Sequence, residues 1–229
     1  MRYTTILFDA DDTLLDFKRA EYCALTRVLK AFGLPYDDEY VAAYSEINDS
    51  LWKLLEVGGI KKDELKVKRF RLFCERFGFD ADPDDMASMY VEALADQSML
   101  LEGAEALVEA LYGKCELYMI TNGIEYIQKK RIESTTIKKY FKEIFVSEQI
   151  GSEKPSIEYF EAVANAIPGF DKSKAIVVGD SLTSDMKGGI NFGVDTCWYN
   201  PKGKKRPDDM NITYEVGSFD GIYAVIAGE

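Results

Sequence analysis

In the second half of the chain, short apolar segments alternate with segments of helical periodicity, and few folds accommodate such a pattern. The apolar segments predict β-strands over Cys115–Thr121, Ile144–Ser147, Ala175–Asp180 and Val194–Tyr199. The other segments predict helices over Ile124–Glu133, Ser156–Ala166, Ser184–Phe192 and Phe219–Ile226. Strands that alternate with helices form a parallel sheet with helices on both faces. Near the N-terminus, Tyr3–Phe8 predicts a further strand of this sheet.

No strand pattern interrupts the segment between the first predicted strand and residue 98. It predicts four helices, over Phe17–Phe32, Asp38–Val57, Lys62–Phe77 and Pro83–Asp96. A chain of 229 residues exceeds one domain of usual size without reaching two. We therefore expect an α/β fold with a Rossmann-like parallel sheet as its core, formed by residues 1–15 and 99–229, and an all-helical domain inserted at 16–98.

Composition excludes several classes of function. The formal net charge is −12, which disfavours a nucleic-acid polymer or an anionic membrane surface as partner. The chain has no histidine, so catalysis that depends on imidazole is excluded. No apolar run approaches the ~20 residues of a membrane span, and acidic residues follow the first strand at once. We expect a soluble, cytoplasmic protein that does not bind membranes.

Polar residues of a consistent kind stand where the predicted strands end. They are Asp9, Asp11 and Thr13 after the first strand, Thr121, Asn122 and Gly123 at the second, Lys154 before a helix, and Asp180 and Asp185 after a later strand. Ligands of open parallel sheets bind beyond the carboxyl ends of the strands. These residues are therefore expected to form one site.

The acidic members of this group predict a magnesium site. Carboxylates gathered at one edge repel one another and need a cation if all are to stay ionised. Ligands that are all oxygen, without His or Cys, suit Mg²⁺. We expect Asp9, Asp180 and the backbone carbonyl of Asp11 to bind it. Asp185 either joins them directly or anchors Lys154 and the waters of the metal.

The same residues suit phosphoryl transfer. A carboxylate beside Mg²⁺, here Asp9, can attack phosphorus and form an aspartyl-phosphate. A second carboxylate two residues on, Asp11, can protonate the leaving oxygen and later activate water. Thr121 and the Asn122 amide can hold phosphoryl oxygens, and Lys154 can offset negative charge. Thr13 and Gly123 are further candidates for substrate binding.

These segments resemble the four ordered motifs of the haloacid dehalogenase (HAD) superfamily. They are Asp9-x-Asp11-x-Thr13, Thr121, Lys154 and Gly179-Asp180-x4-Asp185. The resemblance implies Asp9 as nucleophile, Asp11 as general acid and base, and Mg²⁺ bound by Asp9, Asp11 and Asp180. It also implies that the helical insert is a cap of the first type. Because the second Asp is present, the resemblance is to phosphatases and mutases, since dehalogenases lack it.

Other stretches resemble the bacterial pyrimidine 5′-nucleotidase branch of this superfamily. They are Leu51-Trp52, Glu56 to Ile60, Arg69-Phe70, Gly188 to Asn191 and Cys197 to Pro201. The leading hypothesis is therefore a Mg²⁺-dependent phosphomonoesterase that acts on a small phosphorylated metabolite, and in this branch on nucleoside monophosphates. A sugar-phosphate phosphatase or phosphomutase is the enzymatic alternative. A regulatory module that accepts a phosphoryl group is the non-enzymatic one, and the oligomeric state is left open.

A basic run follows the last predicted strand of the sheet. It consists of Lys202, Lys204, Lys205 and Arg206. Its simplest interpretation is a solvated loop, and the alternative is a role in holding an anionic substrate or partner.

Overall fold

The computed structural model describes residues 1–229, which divide into two compact units. One unit comprises residues 1–16, 100–125 and 132–229, and the other comprises residues 17–99 and 126–131. The domain division predicted from the sequence, with breaks after residues 15 and 98, stays a prediction. Residues 126–131 group with the helical unit, although their sequence follows directly from the α/β pattern.

Four helices form most of the helical unit. They are α1 (Phe17–Ala31), α2 (Asp38–Glu56), α3 (Lys62–Phe77) and α4 (Pro83–Ala95). All four lie within one or two residues of their predicted bounds. Helix α3 ends at Gly78, which has a φ of 67°. Glycine adopts this left-handed conformation at little cost because it has no Cβ. Helix α4 begins at the side chain of Asp82, which accepts hydrogen bonds from the Asp84 and Asp85 amides.

A series of buried polar side chains, joined by hydrogen bonds, crosses the helical unit. The Glu21 carboxylate accepts hydrogen bonds from Ser45 Oγ (2.5 Å) and Asn48 Nδ2 (2.9 Å). Asn48 Oδ1 in turn accepts from Arg69 Nη1 (3.3 Å). The Arg69 guanidinium, only 1% exposed, lies 4.4 Å from the ring centre of Tyr90. Burial raises the pKa of Glu21, against the hydrogen bonds that lower it.

The α/β unit contains all six strands of the structure. They are β1 (Thr5–Asp9), β2 (Glu116–Thr121), β3 (Glu143–Val146), β4 (Ala175–Gly179), β5 (Asp195–Tyr199) and β6 (Tyr214–Val216). The remaining helices are α5 (Ala104–Leu111), α6 (Glu125–Glu133), α7 (Ser147–Ile150), α8 (Ile157–Ala166), α9 (Lys187–Phe192) and α10 (Phe219–Ala227).

The parallel sheet and its flanking helices confirm the predicted fold class, with a few local differences. Sequence patterns missed β6, which has only three residues, and helices α5 and α7. The helix predicted over Ser184–Phe192 is α9 preceded by a wider, π-helical turn at Leu182–Met186. The π-helical turn forms where the side chain of Ser181 accepts a hydrogen bond from the Ser184 amide.

The order of the strands determines where a ligand can bind. All neighbours are parallel, in the order β3-β2-β1-β4-β5-β6. From β1 the chain proceeds to β2 and β3 on one side, and β4 lies on the other. The crevice between the carboxyl ends of β1 and β4 is therefore the topological switch point, where open α/β sheets bind ligands.

None of the helices combines the length and the apolar character that crossing a bilayer requires.

The series of buried polar side chains in the helical unit predicts a large loss of stability for Arg69→Ala. The substitution leaves Asn48 Oδ1 buried without its donor and removes the guanidinium that packs on Tyr90, so we expect the free energy of unfolding to fall by about 2–4 kcal/mol. Arg71→Ala, at an exposed position of the same helix, should change it by less than about 0.5 kcal/mol. Urea denaturation followed by circular dichroism measures both. Equal stabilities of the two variants would show that the buried network contributes little.

Candidate active site

Three carboxylates meet at the topological switch point. Asp9 is the last residue of β1, Asp180 follows β4 directly, and Asp185 lies in the π-helical turn. Each offers a carboxylate oxygen, and these oxygens all lie within 4.8 Å of one another. The structure thus brings together the acidic residues that the sequence placed at two separate strand ends.

The ammonium group of Lys154 lies between two of these carboxylates. Its Nζ donates hydrogen bonds to Asp9 Oδ1 (2.7 Å), Asp185 Oδ1 (2.7 Å) and the Ile120 carbonyl (3.1 Å). Its three donors are therefore all used within the protein. The residue is only 2% exposed. Burial alone would lower the pKa of Lys154, but the negative charges of Asp185 and Asp9 raise this pKa by more, so the amine stays charged.

The side chain of Asn122 fixes the backbone of Lys154. Asn122 Oδ1 accepts from the Lys154 amide (2.9 Å), and Asn122 Nδ2 donates to the Lys154 carbonyl (2.8 Å). Both polar atoms of the side-chain amide are thus occupied. The predicted role of Asn122 in substrate binding therefore rests on its backbone N–H, since its side chain positions Lys154.

Thr13 connects the two strand ends that carry the carboxylates. Its fully buried hydroxyl donates to Asp9 Oδ2 (2.9 Å) and accepts from the Asp180 amide (3.1 Å). Its proton is used inside the protein, so Thr13 holds Asp9 rather than offering a donor to a ligand. Together with Lys154, it gives each oxygen of Asp9 a partner and fixes the plane of the carboxylate.

Asp185 has no exposed surface and accepts a hydrogen bond at each oxygen. Oδ1 accepts from Lys154, and Oδ2 accepts from the Ser181 amide (3.1 Å). A Cβ at position 179 would overlap the Asp185 carboxyl group, so glycine is needed there for this close approach. Of the two roles that the sequence left open for Asp185, these contacts favour the anchoring of Lys154.

The other predicted residues lie in the loops at the same sheet edge. Thr121 ends β2, is 2% exposed, and its Oγ1 accepts from the Gly123 amide (3.0 Å). Asp11 is partly exposed, and its backbone pairs with Leu15 in an isolated bridge. Asp12 between Asp11 and Thr13 adopts a left-handed φ of 57°, which Asp tolerates better than most residues.

The site has three acidic side chains and one buried cation. Burial and the charge of Asp185 raise the pKa of Asp9 well above its usual range, although Lys154 lowers it in part. Burial, Asp185 and Asp12 raise the pKa of Asp180 to about 7. A divalent cation on Asp9 and Asp180 would remove this penalty, and the donors are all oxygen atoms. The residues therefore fit Mg²⁺.

Sequence reasoning assigned no site role to Trp198. Its indole Nε1 donates to the Asp180 carbonyl (2.9 Å), so the side chain from β5 helps to fix the acidic loop after β4. The sequence offered one signal for this contact, because the indole N–H of a buried Trp usually requires a hydrogen-bond acceptor. Only the register of β4 against β5, with Gly179 beside Trp198, identifies that partner.

Known proteins resemble this chain over nearly its whole length. A model of the haloacid dehalogenase-like hydrolase family matches residues 6–199. Pyrimidine 5′-nucleotidase PynA of Streptococcus pneumoniae is 40% identical, over 97% of this chain and 94% of its own. Pyrimidine 5′-nucleotidase YjjG of Escherichia coli is 31% identical, over 95% of both chains.

A solved structure agrees with these similarities. HAD-hydrolase YfnB of Bacillus subtilis is 38% identical over 98% of this chain and 96% of its own. Its crystal structure, bound to magnesium, superimposes with a TM-score of 0.94 and covers 99% of both chains.

The raised pKa of Asp180 predicts how stability depends on pH when no divalent cation is present. Because the folded state binds this proton more tightly than the unfolded state, the free energy of unfolding should fall as pH rises from about 4 to about 7. Asp180→Asn removes the ionisation. Its gain in stability over the parent should grow across that range and then level off at about 2–4 kcal/mol.

Urea denaturation in EDTA across this pH range measures the gain. Asp208→Asn, at an exposed carboxyl of the same unit, should give a nearly constant difference from the parent. A gain for Asp180→Asn that does not change with pH would contradict the assigned burial of this charge.

Proposed function

Because the chain belongs to the haloacid dehalogenase-like hydrolase family and is a hydrolytic enzyme, we propose that it hydrolyses nucleoside 5′-monophosphates through an aspartyl-phosphate on Asp9, with Mg²⁺ as cofactor. One observation carries this proposal: both Asp9 oxygens are held in place, by Lys154 and Thr13, beside Asp180. A carboxylate held in one orientation is suited to attack a bound phosphoryl group.

Asp9, Asp180 and the backbone carbonyl of Asp11 are the proposed ligands of Mg²⁺. When bound, the cation would neutralise negative charge on the phosphoryl oxygens and keep the carboxylates ionised. Lys154 remains with Asp9 and Asp185, so Asp185 is ion-paired independently of the cation.

In the first step, a carboxylate oxygen of Asp9 attacks phosphorus, and the bond between phosphorus and the ester oxygen breaks. Asp11 donates its proton to that oxygen, so the nucleoside leaves as an alcohol. Thr121 and the backbone amide of Asn122 are proposed to hold the phosphoryl oxygens, while the Gly123 amide donates to Thr121 Oγ1 and orients its hydroxyl. Thr13 and Lys154 keep Asp9 oriented throughout.

In the second step, the Asp11 carboxylate takes a proton from water, and the water oxygen attacks phosphorus. The bond between phosphorus and the Asp9 oxygen breaks, which releases inorganic phosphate and restores the Asp9 carboxylate. Asp11 thus ends the cycle protonated, as it began. A residue that is partly exposed, as Asp11 is, can exchange its proton with the substrate and with water in turn.

The proposed substrate class follows from the relatives. PynA and YjjG are pyrimidine 5′-nucleotidases, and they match this chain over nearly its whole length. The helical segment 16–98, proposed as a cap, would select the nucleoside. A small phosphorylated metabolite is the broader substrate class, and it agrees with N-acylneuraminate-9-phosphatase of Homo sapiens, which is 31% identical over 88% of this chain and 84% of its own.

Phosphate release from a panel of phosphomonoesters tests this proposal. With Mg²⁺, release should be fastest from pyrimidine nucleoside monophosphates and slower from sugar phosphates, and EDTA should abolish it. Release concentrated on sugar phosphates would retain the chemistry and overturn the substrate class. Transfer between positions of a sugar phosphate without release would indicate a mutase, and no reaction with any compound would refute the hydrolase.

Asp9→Asn should lower kcat by at least about a thousandfold, because the amide is a poor nucleophile and the covalent step is lost. Asp12→Asn should retain kcat within about threefold, since Asn also tolerates the left-handed backbone at that position. Circular dichroism verifies that both variants fold. Substantial turnover by Asp9→Asn would rule out Asp9 as the nucleophile.

A further inference from the structure

The turn that follows β5 lies at the same edge of the sheet as the carboxylates. Strand β5 pairs with β4, and Trp198 near its end donates to the Asp180 carbonyl. The next residue after the strand is Asn200, whose amide donates to the Val216 carbonyl (2.7 Å). The chain therefore leaves the sheet beside Asp180 and enters the basic run there.

Asn200 fixes Lys204 as Asn122 fixes Lys154. Asn200 Oδ1 accepts from the Lys204 amide (2.8 Å), and Asn200 Nδ2 donates to the Lys204 carbonyl (2.8 Å). Nδ2 also donates to Glu215 Oε1 (2.6 Å), and the residue is only 6% exposed. The turn is closed by Gly203, which has a φ of 60° and donates to the Asn200 carbonyl (3.2 Å). The backbone of Lys204 is thus held by a buried side chain.

The ammonium of Lys204, in contrast, is exposed and forms no hydrogen bond or ion pair within the chain. The Asn200 side chain that holds the backbone of Lys204 comes two residues after Trp198, whose indole donates to the Asp180 carbonyl, so Lys204 extends from the sheet edge beside the carboxylates. Arg206 differs, since its guanidinium donates to the Ile212 carbonyl (2.6 Å) and stabilises the loop.

The cationic side chain among the carboxylates is not free to bind an anion. All three donors of Lys154 are committed to Asp9, Asp185 and a carbonyl. The chain carries a net charge of −12, so it repels a phosphomonoester dianion at long range. A positive side chain held at the rim of the site, with its donors unused, offsets this repulsion.

We propose that Lys204, positioned by Asn200, is a second cationic residue of the active site and binds the phosphoryl dianion of the substrate. The inference rests on the proposed function. It names a substrate-binding residue outside the four motifs, in a run of the sequence whose simplest interpretation was a solvated loop.

Steady-state kinetics at saturating Mg²⁺ test this assignment with matched variants of the same basic run. K204M should raise KM for a nucleoside monophosphate about tenfold and change kcat by less than about threefold. K204R should restore most of the affinity, because the charge is retained. K202M and K205M should keep KM within about twofold, and the KM of the parent should rise with ionic strength more steeply than that of K204M.

Binding of inorganic phosphate to the Mg²⁺-loaded protein, measured by calorimetry, separates this assignment from the proposed reaction. Tenfold weaker binding by K204M supports the role of Lys204 even if no phosphomonoester is hydrolysed. Equal losses in K204M, K202M and K205M would overturn it, because they indicate only a general effect of charge. A change confined to Mg²⁺ affinity, with phosphate binding unaltered at saturating Mg²⁺, would also overturn it.

N200A tests the positioning. It should raise KM in the same direction as K204M, and the double variant should be no worse than K204M alone, because both changes remove one function. Additive losses would show that Asn200 does not act through Lys204.

Discussion

Three carboxylates meet at one sheet edge, and a single buried ammonium group pairs with two of them. Lys154 neutralises part of the charge of Asp9 and Asp185, and the remaining negative charge makes ionisation of Asp9 and Asp180 unfavourable. Such an arrangement costs free energy unless a cation joins it. The local details of the site follow from this constraint: Gly179 makes room for Asp185, and Asn122 holds Lys154 in place.

The same constraint explains how the site can act. The proposed nucleophile, Asp9, must be ionised and oriented: Lys154 and Thr13 orient it, and a bound cation would keep it ionised. Because Lys154 is fully engaged with the protein, attraction of the substrate falls to other groups. We assign that role to Lys204, whose backbone Asn200 holds through the same pair of hydrogen bonds that Asn122 makes to the backbone of Lys154.

Sequence patterns were sufficient for five of the six strands, for helices α1 to α4 and for the residues that converge at the sheet edge, because periodicity and strand ends are local properties. They could not identify what depends on the register of neighbouring strands. The contact of Trp198 with Asp180 is one example, and the place of Thr13 between two loops is another. Nor could sequence patterns show that the side chains of Asn122 and Thr13 form hydrogen bonds to Lys154 and Asp9.

The proposed mechanism requires that Asp9 becomes phosphorylated during turnover. Acid quenching of the reacting enzyme, followed by proteolysis and mass spectrometry of the peptide that contains Asp9, tests it directly. We expect a phosphoryl group on Asp9 in the parent and none on the corresponding peptide of Asp9→Asn, which lacks the nucleophilic carboxylate. Sustained phosphate release by the parent with no phosphoryl group on that peptide would contradict this mechanism.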